Sequence, residues 1–446
     1  MQDMALSREE LQMARNFLDT ALKMGADKCR VTLSKSVMDL IGTLDGEIDK
    51  VSHNMDRSVS LALFKDGKYG NFSTNRLDAN VEDFVRRALE SLSLLAEDRA
   101  RDLPPVERTE RSGEDAGLFN KASYESVTMD ARLEKARLAC CFGSHPDIIS
   151  EEGEYSDSLT DIYLIDSDGA CCRHRETAFE YATEVTIKDG NDKLSAYWWD
   201  SAADFDSLDC VAVGKTALSN ALAKRHPQGF KGGKMTIIAD KECSSRLLAP
   251  ILSAMNGFAL QQNNSFLNGK LGEKLFPEFL NITDFPREKG ATGARLFDSE
   301  GVATRTLPLI ERGVLKTYFI NTYISNKTGM EPTVDDATRP CVQSTHNLGC
   351  DGLVKACREG LGGGDKGLLL ITGFNGGNSN SATGDFSFGV EGFYEGPEGS
   401  FPVRECVITG NMLTLWNSLV AVGNDARACR ARVVPSLVFE KVDVSS

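Results

Sequence analysis

The side chains that could do chemistry in this sequence are scattered rather than grouped. Its five histidines, His53, His145, His174, His226 and His346, lie far apart, and none opens an HExxH or HxxxH pattern. No local ligand pair therefore marks a metal site, although one assembled in three dimensions stays open. His346, between Cys341 and Cys350, is its first candidate; an isolated loop histidine is otherwise solvated or hydrogen-bonded. Asp298 and Glu300, two apart in FDSEGVATR (Phe297–Arg305), read either as an acid/base pair or as the solvated residues that turns favour. GLGGGDKG at Gly360–Gly367 puts Asp365 where a phosphate loop needs glycine and Gly367 where it needs a hydroxyl, so it reads as a turn. There is no GxSxG elbow. A cysteine nucleophile stays open, because thiolate activation depends on neighbours that sequence does not order.

The densest signal is Thr372–Asn411, entered by the apolar strand 368–371. Gly373, Asn375, Gly376, Gly377, Asn378 and Asn380 tolerate positive φ, and the glycines let another backbone approach without a Cβ in the way. From Asp385, Phe386, Phe388 and Val390 alternate with Ser387, Gly389 and Glu391, the period of a half-buried strand. Two readings stand for the glycine and asparagine loop. It is a wide turn whose amides bond their own backbone, or Gly376, Gly377, Asn378, Asn380, Thr383, Gly384 and Asp385 line a groove where an extended peptide pairs with a strand edge.

The elements that must position these residues follow in order. Ser7 and Glu10 form a capping box before a helix with Leu11, Ala14, Leu18 and Ala21 on one face, ended by Gly25. Strands are expected over 29–34 and 37–44, then a hairpin through 58–63 turning at Lys65-Asp66-Gly67-Lys68. A second amphipathic helix starts near Val81, 97–115 reads as an exposed connection, and Met129–Cys141 as a helix. A meander follows, with strands at 161–165, 179–188 and 194–199, then a helix through Leu208–Leu222. After a hinge at 228–233 come a strand, 235–239, and an apolar segment, Glu242–Gly257, long enough for a buried helix kinked at Pro250. A further hairpin turns at Glu311-Arg312-Gly313. The fold class is α+β, two domains with mainly antiparallel sheets and flanking helices, divided as 1–228 and 229–446.

Bulk properties agree with a soluble chain. Its 446 residues suit two or three domains of about 100 to 200 residues each. The net charge of −15 argues against tracking phosphates, which needs clustered Lys and Arg, so no direct nucleic-acid binding is expected. The 12 cysteines form no CxxC pair or small secreted framework, and the vicinal pairs Cys140-Cys141 and Cys171-Cys172 read as buried thiols. Neither a signal peptide nor an apolar run near about 18 residues is evident, and a reducing cytoplasm, away from membranes, fits best.

Thr372–Asn411, with Phe297–Arg305 and AVGND (Ala421–Asp425), three motifs in one order, resembles the TldD/PmbA family, also called candidate modulators of DNA gyrase, and its PmbA (TldE) branch in particular. The TldD branch carries His-Glu-x-x-x-His on the helix equivalent to Glu242–Gly257. This sequence has Ala249, Pro250, Ile251, Leu252, Ser253 and Ala254 there, with neither imidazole nor carboxylate, so the resemblance implies no zinc and no catalytic residue in this chain. Cys429, near the family's cysteine ligand, lacks a matching context and reads as structural. The implied role is a non-catalytic subunit of a two-component metallopeptidase. A TldD-like partner would hold the zinc, and peptides or unfolded polypeptides would be the substrate; the isolated chain could form a homodimer. Two other classes stay open: a direct binding or regulatory protein without a peptidase role, and a stand-alone hydrolase with a cysteine or an assembled metal site.

Overall fold

The computed structural model describes residues 4–77, 80–397 and 399–446. Two compact units divide it, and they interleave in sequence: Met1–Ala221 with Arg287–Thr304 and Asn321–Val334, and Leu222–Pro286 with Arg305–Ile320 and Asp335–Ser446. A single cut after residue 228 does not describe the two segments that return to the first unit.

The first unit is built on an antiparallel sheet of β1 (Lys28–Leu44), β2 (Glu47–Lys65), β3 (Lys68–Thr74), β4 (Ile148–Asp166), β5 (Cys171–Asp189) and β6 (Asp192–Ala202), in the order β3-β2-β1-β4-β5-β6. The stretches expected as two strands, 29–34 and 37–44, are one. Lys35, between them, points into the core, where its ammonium reaches Glu10 at 3.3 Å and the Ala5 carbonyl at 3.1 Å. The capping box forms as expected: the Glu10 amide donates to Ser7 Oγ and the Ser7 amide to Glu10 Oε2. The Arg8–Lys23 and Val81–Ser93 helices lay Phe17, Ala21, Val85 and Leu92 on Val31, Leu33 and Leu61. Farther along the sheet, Val37, Ile41, Tyr155 and Phe179 share a second core with the Met129–Ala139 and Cys210–Ala223 helices.

The connection 97–115, expected to be exposed, is partly buried through Leu103, Thr109 and Glu110. Glu110 is held by Arg287 at 2.6 Å, from one of the returning segments of the same unit.

In the second unit, β7 (Gly233–Ala239), β12 (Leu368–Ser379), β13 (Asp385–Gly396), β14 (Gly399–Asn411), β15 (Leu419–Val422) and β16 (Leu437–Ser445) run in the order β14-β13-β12-β7-β16-β15. An added β14–β16 pairing, Val407↔Ser445 to Thr409↔Asp443, closes five of these strands into a barrel. Among the described residues, β7–β12 is the one parallel pairing between these strands. A small antiparallel sheet of β8 (Ile282–Asp284), β9 (Leu307–Glu311), β10 (Val314–Leu315) and β11 (Pro340–Val342) completes the unit. The architecture is α+β with mainly antiparallel sheets and flanking helices. Among the described residues no helix is long and apolar enough to cross a membrane.

Candidate functional site

The helix Ser245–Ala254 follows β7 and buries Leu247, Leu248, Ile251, Leu252 and Ala254. Trp416 Nε1 donates to the Leu247 carbonyl at 3.2 Å, fixing that buried face. Its other face presents Arg246, Ala249, Pro250 and Ser253 to a pocket of about 300 Å³. These four stand at i, i+3, i+4 and i+7, so one helical face supplies them. Phe266, Asn378, Ser379, Ser381 and Phe388 form the opposite wall.

That wall corrects the expected loop. Gly373 to Ser379 are strand, the continuation of β12 against β13, with register shifts at Ile371/Gly373 and Phe374/Gly376 that absorb the irregularity. Gly377 sits at φ +81°, and a Cβ there would fall 2.0 Å from the Ser387 carbonyl oxygen. The close approach read from sequence is therefore that of the neighbouring strand. β7 pairs with β12 only from Leu368 to Ile371. Beyond Ile371, no strand among the described residues pairs with the second edge of β12. Arg246 holds that edge: its Nη2 donates to the Gly377 carbonyl at 3.0 Å while the guanidinium lies 5.3 Å from the Phe388 ring centroid.

The seven residues named from sequence thus separate. Asn378 lines the pocket, and Gly376 and Gly377 form the strand beside it. Asn380, Thr383, Gly384 and Asp385 build a self-bonded turn instead. Asn380 Oδ1 accepts from the amides of Ala382 and Thr383, and the Gly384 amide donates to the Asn380 carbonyl. Asn411 Nδ2 and Thr383 Oγ1 donate to the Asp385 carboxylate and hold its pKa below the ordinary value. Sequence reading missed Arg246, Ser253, Phe266, Ser379, Ser381 and Phe388. The i, i+3, i+4, i+7 spacing around Pro250 was the signal available for Arg246 and Ser253.

A zinc ion finds no donor set in this pocket. Its lining has no imidazole, thiolate or carboxylate, and Ala254, the last position of the family's metal motif, is a buried methyl. Among the described residues, no three His, Cys, Asp or Glu side chains group as a metal site. His346 bonds Thr345 Oγ1 through Nδ1 at 2.9 Å, and Cys429 is partly exposed.

The acidic pair of Phe297–Arg305 is committed to structure. Asp298 Oδ1 accepts from the amides of Glu300 and Val302, both at 2.9 Å. Glu300 Oε2 accepts from the Thr322 amide at 2.8 Å and hydroxyl at 2.7 Å, where the helix Thr322–Thr328 begins. Asp425 is a similar hub, bonding the Cys350 amide and the Ser436 amide and hydroxyl. Burial pushes the thiols of Cys29, Cys140, Cys141, Cys172 and Cys210 up to about 12, and those of Cys243 and Cys350 upward as well. These seven are protonated near neutrality and are poor nucleophiles.

Known proteins match this chain over nearly its whole length. Residues 232–446 fit the PmbA/TldA metallopeptidase C-terminal domain, 119–225 the central domain and 29–92 domain 1. A crystal structure from Bacteroides thetaiotaomicron VPI-5482, described as a candidate modulator of DNA gyrase, is 38% identical, covers 99% of each chain and superposes with a TM-score of 0.93. The chain belongs to the PmbA/TldD family. Metalloprotease PmbA of Escherichia coli O157:H7 is 25% identical over 418 residues, 92% of this chain and 90% of that one. TldE from Thermococcus kodakarensis shares the fold, with a TM-score of 0.81 at 17% identity over 97% of this chain and 100% of its own.

Proposed function

We infer that this PmbA/TldD family chain is the PmbA (TldE)-like, zinc-free subunit of a two-component metallopeptidase of the cytoplasm. A TldD-like subunit holds the zinc, and this chain supplies part of the groove for a peptide or unfolded polypeptide. One observation carries the reading: Ala249 and Pro250, at the family's first histidine and its glutamate, wall the pocket with a methyl group and a pyrrolidine ring. Neither can bind zinc or take a proton from a metal-bound water.

The substrate role draws on the edge of β12 beyond Ile371. An extended chain laid along it gains main-chain hydrogen bonds without regard to sequence, while Phe266 and Phe388 offer apolar contact and Arg246, Asn378 and Ser253 polar contact for a side chain entering the pocket. Fluorescence anisotropy with a labelled unstructured peptide, followed by a cleavage assay with and without a TldD-like subunit, tests the reading. Binding without cleavage by the isolated chain, and cleavage on adding the partner, supports it. Cleavage by the isolated, chelator-treated chain overturns it.

A further inference from the structure

A guanidinium offers several N–H donors in one plane. That of Arg246 gives one to the Gly377 carbonyl at 3.0 Å and lies 5.3 Å from the Phe388 ring centroid, and among the described residues no carboxylate pairs with it. This is so although the chain carries 65 acidic side chains against 50 basic ones. The placement also runs against the helix. Arg246 stands in the first turn of Ser245–Ala254, where the backbone dipole disfavours a positive charge, and that turn holds no acidic residue to offset it. The pocket beside it supplies none either: its lining is apolar at Pro250, Phe266 and Phe388, and neutral and polar at Ser253, Asn378 and Ser379. Asp385, the acid of the adjoining turn, lies outside this lining and is already bonded by Asn411 and Thr383. Tying the helix to β12 needs one N–H and no charge, so packing leaves the charge itself unexplained.

We propose, resting on the reading of the open β12 edge as a peptide groove, that this pocket is a subsite for a carboxylate of the bound chain, with Arg246 as its specificity-determining residue. A carboxylate accepts a pair of parallel N–H bonds in the guanidinium plane, which leaves Phe388 free to stay against the guanidinium face. Asn378 and Ser253 offer neutral donors to the remaining lone pairs. Because Arg246 already bonds the Gly377 carbonyl, main-chain pairing along β12 runs out at the pocket. What meets the guanidinium there is an acidic side chain or the C-terminus of the peptide. A Lys or Arg side chain in the same place would set a second cation beside Arg246 with no acid in the lining to offset it, so the pocket selects against basic residues.

Anisotropy titrations of the full chain with labelled glycine- and serine-rich peptides of one length test the subsite. The reference peptide is neutral and C-terminally amidated. The others carry a single internal Glu with an amidated end, a free C-terminal carboxylate without the Glu, or Lys in place of the Glu. A carboxylate peptide binds about tenfold tighter than the reference and the Lys peptide binds more weakly, and whichever carboxylate is preferred identifies its source. In Arg246→Gln, which keeps an N–H donor but no charge, the preference shrinks to within about twofold. Arg246 is exposed, so this variant keeps the wild-type melting curve. Equal binding of all the peptides, or a preference that survives in Arg246→Gln, overturns the carboxylate subsite while leaving the peptide groove standing. Binding of none of them overturns the groove and the subsite together.

Discussion

Arg246 donates to the Gly377 carbonyl across 3.0 Å, and this one hydrogen bond ties the helix that lacks the metal motif to the strand edge that β7 leaves open. The guanidinium also caps Phe388, so it shapes the pocket from two directions.

Replacing Arg246 by alanine therefore separates peptide binding from folding. The residue is largely solvated and lies outside the core, so the melting temperature changes little. Peptide affinity drops about tenfold, the scale of one lost charge-assisted hydrogen bond. Anisotropy titration alongside a thermal melt checks both halves; equal affinity for the two proteins would remove Arg246 from the groove.

Gly377→Ala attacks the opposite wall. At φ +81° any L residue is strained, and the added methyl meets the Ser387 carbonyl oxygen at 2.0 Å, backbone that cannot swing aside. A loss of about 2 kcal/mol or more in urea unfolding is expected, with the peptide site distorted. Gly376→Ala is the control, because a Cβ there meets open space.

Much of the fold could be read directly, and the failures share a cause. The Ser7 and Glu10 capping box, the turn after Lys65 and the alternation from Asp385 are local signals, and each forms as read. Long strands with acidic residues facing inward were cut short. β4 runs from Ile148, yet only 161–165 was recognised; Asp157, in the missed part, and Asp161, at the start of the recognised one, both face inward. They are buried because Arg132 grips Asp157 through two nitrogens at 2.6 and 3.1 Å and Arg173 grips Asp161 at 2.6 and 2.9 Å. Partners 25 and 12 residues away leave no periodic trace. The pocket was half legible for a similar reason. The Ala249-Pro250 face stood out through what it lacks, but the strand that opposes it was read as a loop.

Glu10 gives the first unit an acid-sensitive joint. Burial works against its charge, but the Ser7 amide, Arg57 and Lys35 outweigh that and hold its pKa below the ordinary 4.5. Because the folded value is the lower one, the stabilisation is complete above about pH 4.5 and is lost as pH falls through the folded value. Glu10→Gln leaves the Lys35 ammonium buried without its carboxylate and costs about 3 kcal/mol at neutral pH. Urea unfolding across pH should show the gap between wild type and variant closing below pH 4.5; a gap constant with pH would contradict this assignment.

The zinc content of the purified chain, by elemental analysis after dialysis against a weak chelator, tests the central claim most directly. A chain whose pocket is walled by Ala249 and Pro250 should retain essentially none. About one tightly held zinc per chain would mean a site built from other residues, and the assignment of a zinc-free subunit would be wrong.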